Sequence, residues 1–121
     1  MTRPKDLIPD VLKNTADWNG WKDSVEDYAD KVRPGMKTLM KAVSKSKLVI
    51  DEAEVRAMGY INGEWEENTS LYELLKLKTS PGTEARTIVT NAEREGGLEA
   101  WRTLSIMYEP QQGIRRMKEI A

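Results

Sequence analysis

Apolar residues recur along this chain with the period of an α-helix, and nowhere with the alternation of a half-buried strand. The clearest case lies between Gly96-Gly97 and Pro110. There Trp101, Leu104 and Tyr108 fall at i, i+3 and i+7, which predicts a core helix over 97–109. Residues 15–32 repeat the pattern, with Trp18, Trp21, Val25, Tyr28, Ala29 and Val32 on one face. Asn14, Thr15 or Asp17 would cap that helix. Pro34 ends it and suits the first turn of a helix over 35–46, where Met36, Leu39, Met40 and Val43 share a face.

The second half reads the same way. Asp51 and Glu54 form a capping pattern for a short helix over 51–58, closed by Gly59. Ser70 and Glu73 form another, for a helix over 70–79 with Leu71, Leu74 and Leu75 on one face and Tyr72 and Leu77 to the sides. Ser80 as cap and Pro81 at the first position open a helix over 81–95, with Ala85, Ile88, Val89 and Ala92 inward. Gly96 or Gly97 closes it and turns the chain back as a helical hairpin. Pro110-Gln111-Gln112-Gly113 is a break, after which Ile114, Met117 and Ile120 start a further helix. That helix stops after two turns, which suggests a longer natural protein. The least regular stretch is 59–68, read as a loop around Trp65, with a brief helical turn as the second choice.

The sum is an all-α bundle of about six or seven helices, with no strand and no internal repeat. Residues 1–14 form an extended arm, 15–110 the helical lobe, and 111–121 a linker or the start of a following helix. The expected core is Trp18, Trp21, Val25, Tyr28, Leu39, Val43, Leu71, Leu74, Leu75, Ala85, Ile88, Val89, Trp101, Leu104 and Tyr108. In the arm, Leu7, Ile8, Val11 and Leu12 could dock on the domain or on a neighbour, with a short helical turn at 10–13 as an option.

Composition narrows function mainly by exclusion. The 121 residues include no Cys and no His, so thiolate and imidazole metal sites, disulfides and histidine catalysis are out of reach. A carboxylate site for a hard metal stays open in principle, but no cofactor, metal or small-molecule substrate is expected. The N-terminus lacks a signal-peptide core, and no apolar run is long enough to span a bilayer. Glu93/Glu95 and Glu64/Glu66/Glu67 read as charge runs, and no phosphate loop or nucleophile arrangement is present. An enzyme is therefore not expected.

Net charge is −1, so the chain as a whole is not a basic nucleic-acid binder. The charge is uneven. Residues 1–50 hold ten Lys/Arg against seven Asp/Glu, a net of +3, and residues 51–121 hold nine against thirteen, a net of −4. That polarity suits head-to-tail contacts. Lys37, Lys41 and Lys45 line one face of their helix, either as a solvated face or as a surface for an acidic partner or RNA. Candidate contacts are Leu7, Ile8, Lys37, Lys41, Lys45 and Trp65; Trp65 reads first as a buried core plug, and as a contact if it is exposed.

The order Trp18…Trp21…Val25…Tyr28, a proline-glycine break, and then GTEARTIVTNAEREGGLEAWRTLSIMYEP resembles the Gag capsid region of copia-type LTR retrotransposons. Ala85 and Ile88 match the first half of that family's signature. Ala100, Trp101, Leu104 and Tyr108 match its AWxxLxxxY half. The resemblance covers residues 15–112, and its matching residues are structural, so none carries over as catalytic. It implies the N-terminal lobe of a capsid that self-associates into a virus-like shell around RNA in the cytoplasm. The implied partners are other copies of itself, a downstream capsid lobe, and RNA held indirectly by the full-length protein. The family's second lobe and zinc knuckle are not in these residues, so RNA packaging through a knuckle is not expected of them. The alternative is an all-α adaptor that binds a peptide or nucleic acid through the basic helix face.

Overall fold

A computed structural model describes residues 8–120, with side chains described for 8–14 and 16–109. Among the described residues six helices follow one another: α1 Trp18–Val32, α2 Met36–Ser44, α3 Glu52–Ala57, α4 Asn68–Leu77, α5 Glu84–Asn91 and α6 Gly97–Ile120. There is no strand among the described residues. α6 is the central element, packed against α2, α4 and α5, and α1 lies on α2.

Aromatic contacts join α1 to α6. The Trp18 ring centroid lies 5.9 Å from that of Trp101 and 5.3 Å from that of Tyr108. Trp21 lies 5.7 Å from Trp18 and 6.1 Å from Trp101. All four rings are buried and tilted against one another, an arrangement that aromatic quadrupoles favour over flat stacking. The same core holds Val25, Leu39, Val43, Leu71, Leu75, Ala85, Ile88, Val89 and Leu104, together with Leu12, Ile50, Val55, Tyr72 and Leu98. Tyr28 and Leu74, expected in the core, are only half-buried, and Val32 at the end of α1 is exposed. α1 and α4 each carry more apolar face than the lobe covers.

Several helix starts differ from the sequence reading. A 3-10 turn, Thr15–Asp17, precedes α1, and the Asn14 side chain accepts from the Ala16 N–H. Pro34 lies in the turn before α2. The Asp30 carboxylate, still in α1, accepts from the Gly35 and Lys37 N–H groups at 3.0 and 3.2 Å. Asp51 does cap α3, accepting from Glu54 N–H at 2.8 Å. Ser70 is not a cap. A 3-10 turn, Glu64–Glu67, runs straight into α4 at Asn68, so much of the stretch read as a loop is helical. Nor does Ser80-Pro81 start a helix. Pro81 and Gly82 make a turn, Gly82 at φ +83°, and Thr83 caps the shorter α5 through the Arg86 N–H. Helix α6 runs through Pro110 to Ile120, where a break was expected. Pro110 removes one hydrogen bond from that helix without ending it.

The arm contributes through its backbone. Leu12 N–H donates to the Lys78 carbonyl and Ser80 N–H to the Leu12 carbonyl, at 2.8 and 3.1 Å. This single parallel bridge buries Leu12 beside the end of α4, and no helical turn forms at 10–13. Where α6 starts, Gly96 takes the left-handed conformation at φ +104°. A Cβ on Gly97 would stand 2.4 Å from the Tyr72 backbone nitrogen, so glycine allows α6 to begin directly against α4.

Candidate interaction surface

Each surface that the sequence singled out has a definite place. Lys37 and Lys41 face α1 and meet its carboxylates. Lys37 Nζ lies 2.6 Å from Asp27 Oδ1, and Lys41 Nζ 3.5 Å from Glu26 Oε1. The hydrogen bond to Asp27 holds the Lys37 ammonium above its ordinary pKa. Among the three lysines, only Lys45 is exposed without an ion pair among the described residues. The stripe is thus a helix–helix seam for two of its members, not a continuous cationic face.

Glu26 is the unusual member of that seam. Its side chain has no solvent exposure, and neither carboxylate oxygen has a hydrogen-bond partner among the described residues. Burial pushes its carboxyl pKa up, against the opposing pull of Lys22 and Lys41. Lys22 is engaged in turn with Glu109 of α6. A second buried acid, Glu99, is well satisfied. It accepts from the Ile50 N–H at 3.0 Å and holds Arg102 through two bonds of 2.7 and 2.8 Å. Arg102 also reaches the Ser46 carbonyl at 3.5 Å, so this group fastens the α2–α3 connection to α6.

Trp65 lies on the 3-10 turn and is half-buried against the core. Leu7 lies outside the described residues. Ile8 is exposed. Glu64, Glu66 and Glu67 do not converge: Glu64 accepts from the Asn62 N–H and Glu67 pairs with Arg33. Among the described residues no cluster of three His, Cys, Asp or Glu could hold a metal ion.

Two apolar features emerge that periodicity alone did not mark as surface. One is a groove of about 400 Å³ between the C-terminal half of α1 and α4, with Tyr28, Val32, Leu74 and Leu77 among its walls. Val32 and Leu77 are 64% and 68% exposed. Arg33 and Glu67, 3.6 Å apart, and Glu73 edge it. The other is the turn after α2, where Leu48 and Val49 are 61% and 58% exposed beside Lys45 and Lys47. Leu77 lay off the 71/74/75 face, a signal that it could stay outside. Val32 gave no such signal, because it continued the buried stripe of α1.

No family model, curated protein or solved structure matches this chain.

Proposed function

We propose that this chain is a structural unit, the N-terminal capsid lobe of a copia-type Gag protein, which self-associates into a virus-like shell around RNA. One observation supports the reading above the rest. The residues that carry the resemblance, Trp18 and Trp21 early in the chain and Trp101 and Tyr108 late in it, meet as one buried aromatic cluster. The motif therefore behaves as the packing signature of a lobe. On this reading its partners are further copies of itself and a downstream capsid lobe, with RNA retained by the full-length protein. Its place would be the cytoplasm, inside particles. Each contact is small and weak, and repetition around a shell supplies the avidity.

The test is negative-stain electron microscopy of the full-length protein carrying this sequence, with nuclease treatment of any particles. Regular shells containing protected RNA are expected. A protein that stays monomeric across salt and concentration would overturn the reading. Capture of a peptide or nucleic acid by the α2 face in pull-downs would instead support the adaptor.

A further inference from the structure

We infer that the Leu48–Val49 turn of one copy seats in the α1–α4 groove of the next, forming a head-to-tail contact. The inference names the interface for the self-association proposed above and rests on that reading. Its two halves are a projection and a recess on the same chain.

The projection is held ready. Ser46 Oγ donates to the Leu48 carbonyl and accepts from the Leu48 N–H, both at 3.1 Å, which fixes the turn. The next apolar residue, Ile50, is buried, and its N–H is bound to Glu99. Leu48 and Val49 therefore stand out from an anchored segment, and docking costs little ordering entropy. Lys45 and Lys47 flank them, exposed and without ion pairs among the described residues.

The recess complements this in shape and charge. Its apolar walls leave room for a pair of aliphatic side chains. Its edge carries two carboxylates, Glu67 and Glu73, against one guanidinium, Arg33. Arg33 is already shared between Glu67 and the Asn62 carbonyl, at 3.6 and 2.6 Å. Glu73 is exposed and has no ion pair among the described residues. The excess negative charge at the recess meets the excess positive charge at the projection. Projection and recess share no residue, so every copy offers both. A contact of this heterologous kind propagates as a ring or an open chain.

The absence of cysteine gives a clean test with the full chain. Val49→Cys and Leu77→Cys variants are mixed under mild oxidant, with Val49→Cys plus Thr90→Cys as the control. Heterodimer should form about tenfold faster or more from the first pair, because the contact raises the local thiol concentration. Lys45→Glu with Lys47→Glu on the projection should remove that advantage, and Glu73→Lys on the recess should restore it. Equal rates for the two pairs would overturn the interface. Electron microscopy of the full-length protein separates the two levels. Particles with equal cross-linking rates leave self-association standing and remove this interface. Selective cross-linking without particles keeps the interface and removes the shell.

Discussion

Asn68, at the start of α4, caps the start of α6. Its Oδ1 accepts from the Leu98 N–H at 2.8 Å, and its Nδ2 donates to the Glu95 carbonyl at 2.7 Å. One buried amide therefore satisfies an unpaired donor at the helix start and a carbonyl of the preceding turn. Asn68→Ala leaves both groups without a partner and should cost about 1–3 kcal/mol. Asn68→Asp keeps the acceptor for Leu98 but sets a carboxylate oxygen against the Glu95 carbonyl, so it should also fall below the wild type. Urea unfolding of the three proteins checks the order.

Glycine positions separate strain from freedom. Gly97→Ala would drive a Cβ into the α4 backbone and should destabilise by roughly 1–3 kcal/mol. Gly20 lies inside α1, and a Cβ there meets no atom of the described residues within 4 Å. Gly20→Ala should therefore stabilise by about 0.5–1 kcal/mol through helix propensity. Thermal melts should move in opposite directions for these two variants.

Ionisation of the buried Glu26 is expected to lower stability at neutral pH. Its folded pKa is raised by burial, so the folded state holds the proton more tightly than the unfolded chain. Stability then falls as pH rises from the ordinary glutamate range through the raised value, and is level in this respect above it. The charged groups that act on Glu26 are Lys22, Asp23 and Lys41, with Lys37 close enough to feel it. Glu26→Met fills the site without a charge, and its partner Lys41 is half exposed and can be solvated. This variant should be more stable at pH 7 by roughly 1–4 kcal/mol, as replacements of buried ion pairs often are. The gain should shrink on acidification. A gain that is the same at every pH would refute the role of ionisation.

Lysines of the α2 face should respond unequally. Lys41→Glu places a second carboxylate beside the buried Glu26 and should destabilise the lobe. Lys45→Glu removes no ion pair among the described residues and should change stability by no more than about 0.5 kcal/mol. Denaturation midpoints distinguish them. A triple Lys37/Lys41/Lys45 reversal would therefore mix loss of folding with loss of contact.

Glu99→Ala should cost about 3–5 kcal/mol, because it strands the Ile50 N–H and most of the bonding of Arg102. Amide hydrogen exchange should rise first at Ile50, where the α2–α3 connection is tied to α6. Protection at Leu12, which is held by Lys78 and Ser80 instead, should persist under conditions where the lobe stays folded.

Much of the lobe was legible in the residues themselves. Helical periodicity located the Trp18, Leu39, Leu71, Ile88 and Trp101 faces, because a side-chain stripe at that spacing needs only the local helix to be defined. Asp51 was readable as a cap for the same reason, since it bonds three residues away. The groups that bond across long separations were not readable. Asn68 serves Leu98, Asp30 serves the start of α2, and Glu99 serves Ile50. In each case the sequence offered a nearer candidate or none. Pro110 looked like a break by local rules, yet a helix can lose one hydrogen bond and continue. Surface and core differ in the same way. The apolar stripes of α1 and α4 were set by sequence, but whether Val32 and Leu77 were covered depended on how far apart the two helices lay. The Lys37 and Lys41 charges were likewise set by sequence, and only the approach of α1 decided that they would be neutralised. Local spacing determines which residues can share a face, whereas the tertiary arrangement decides what that face meets.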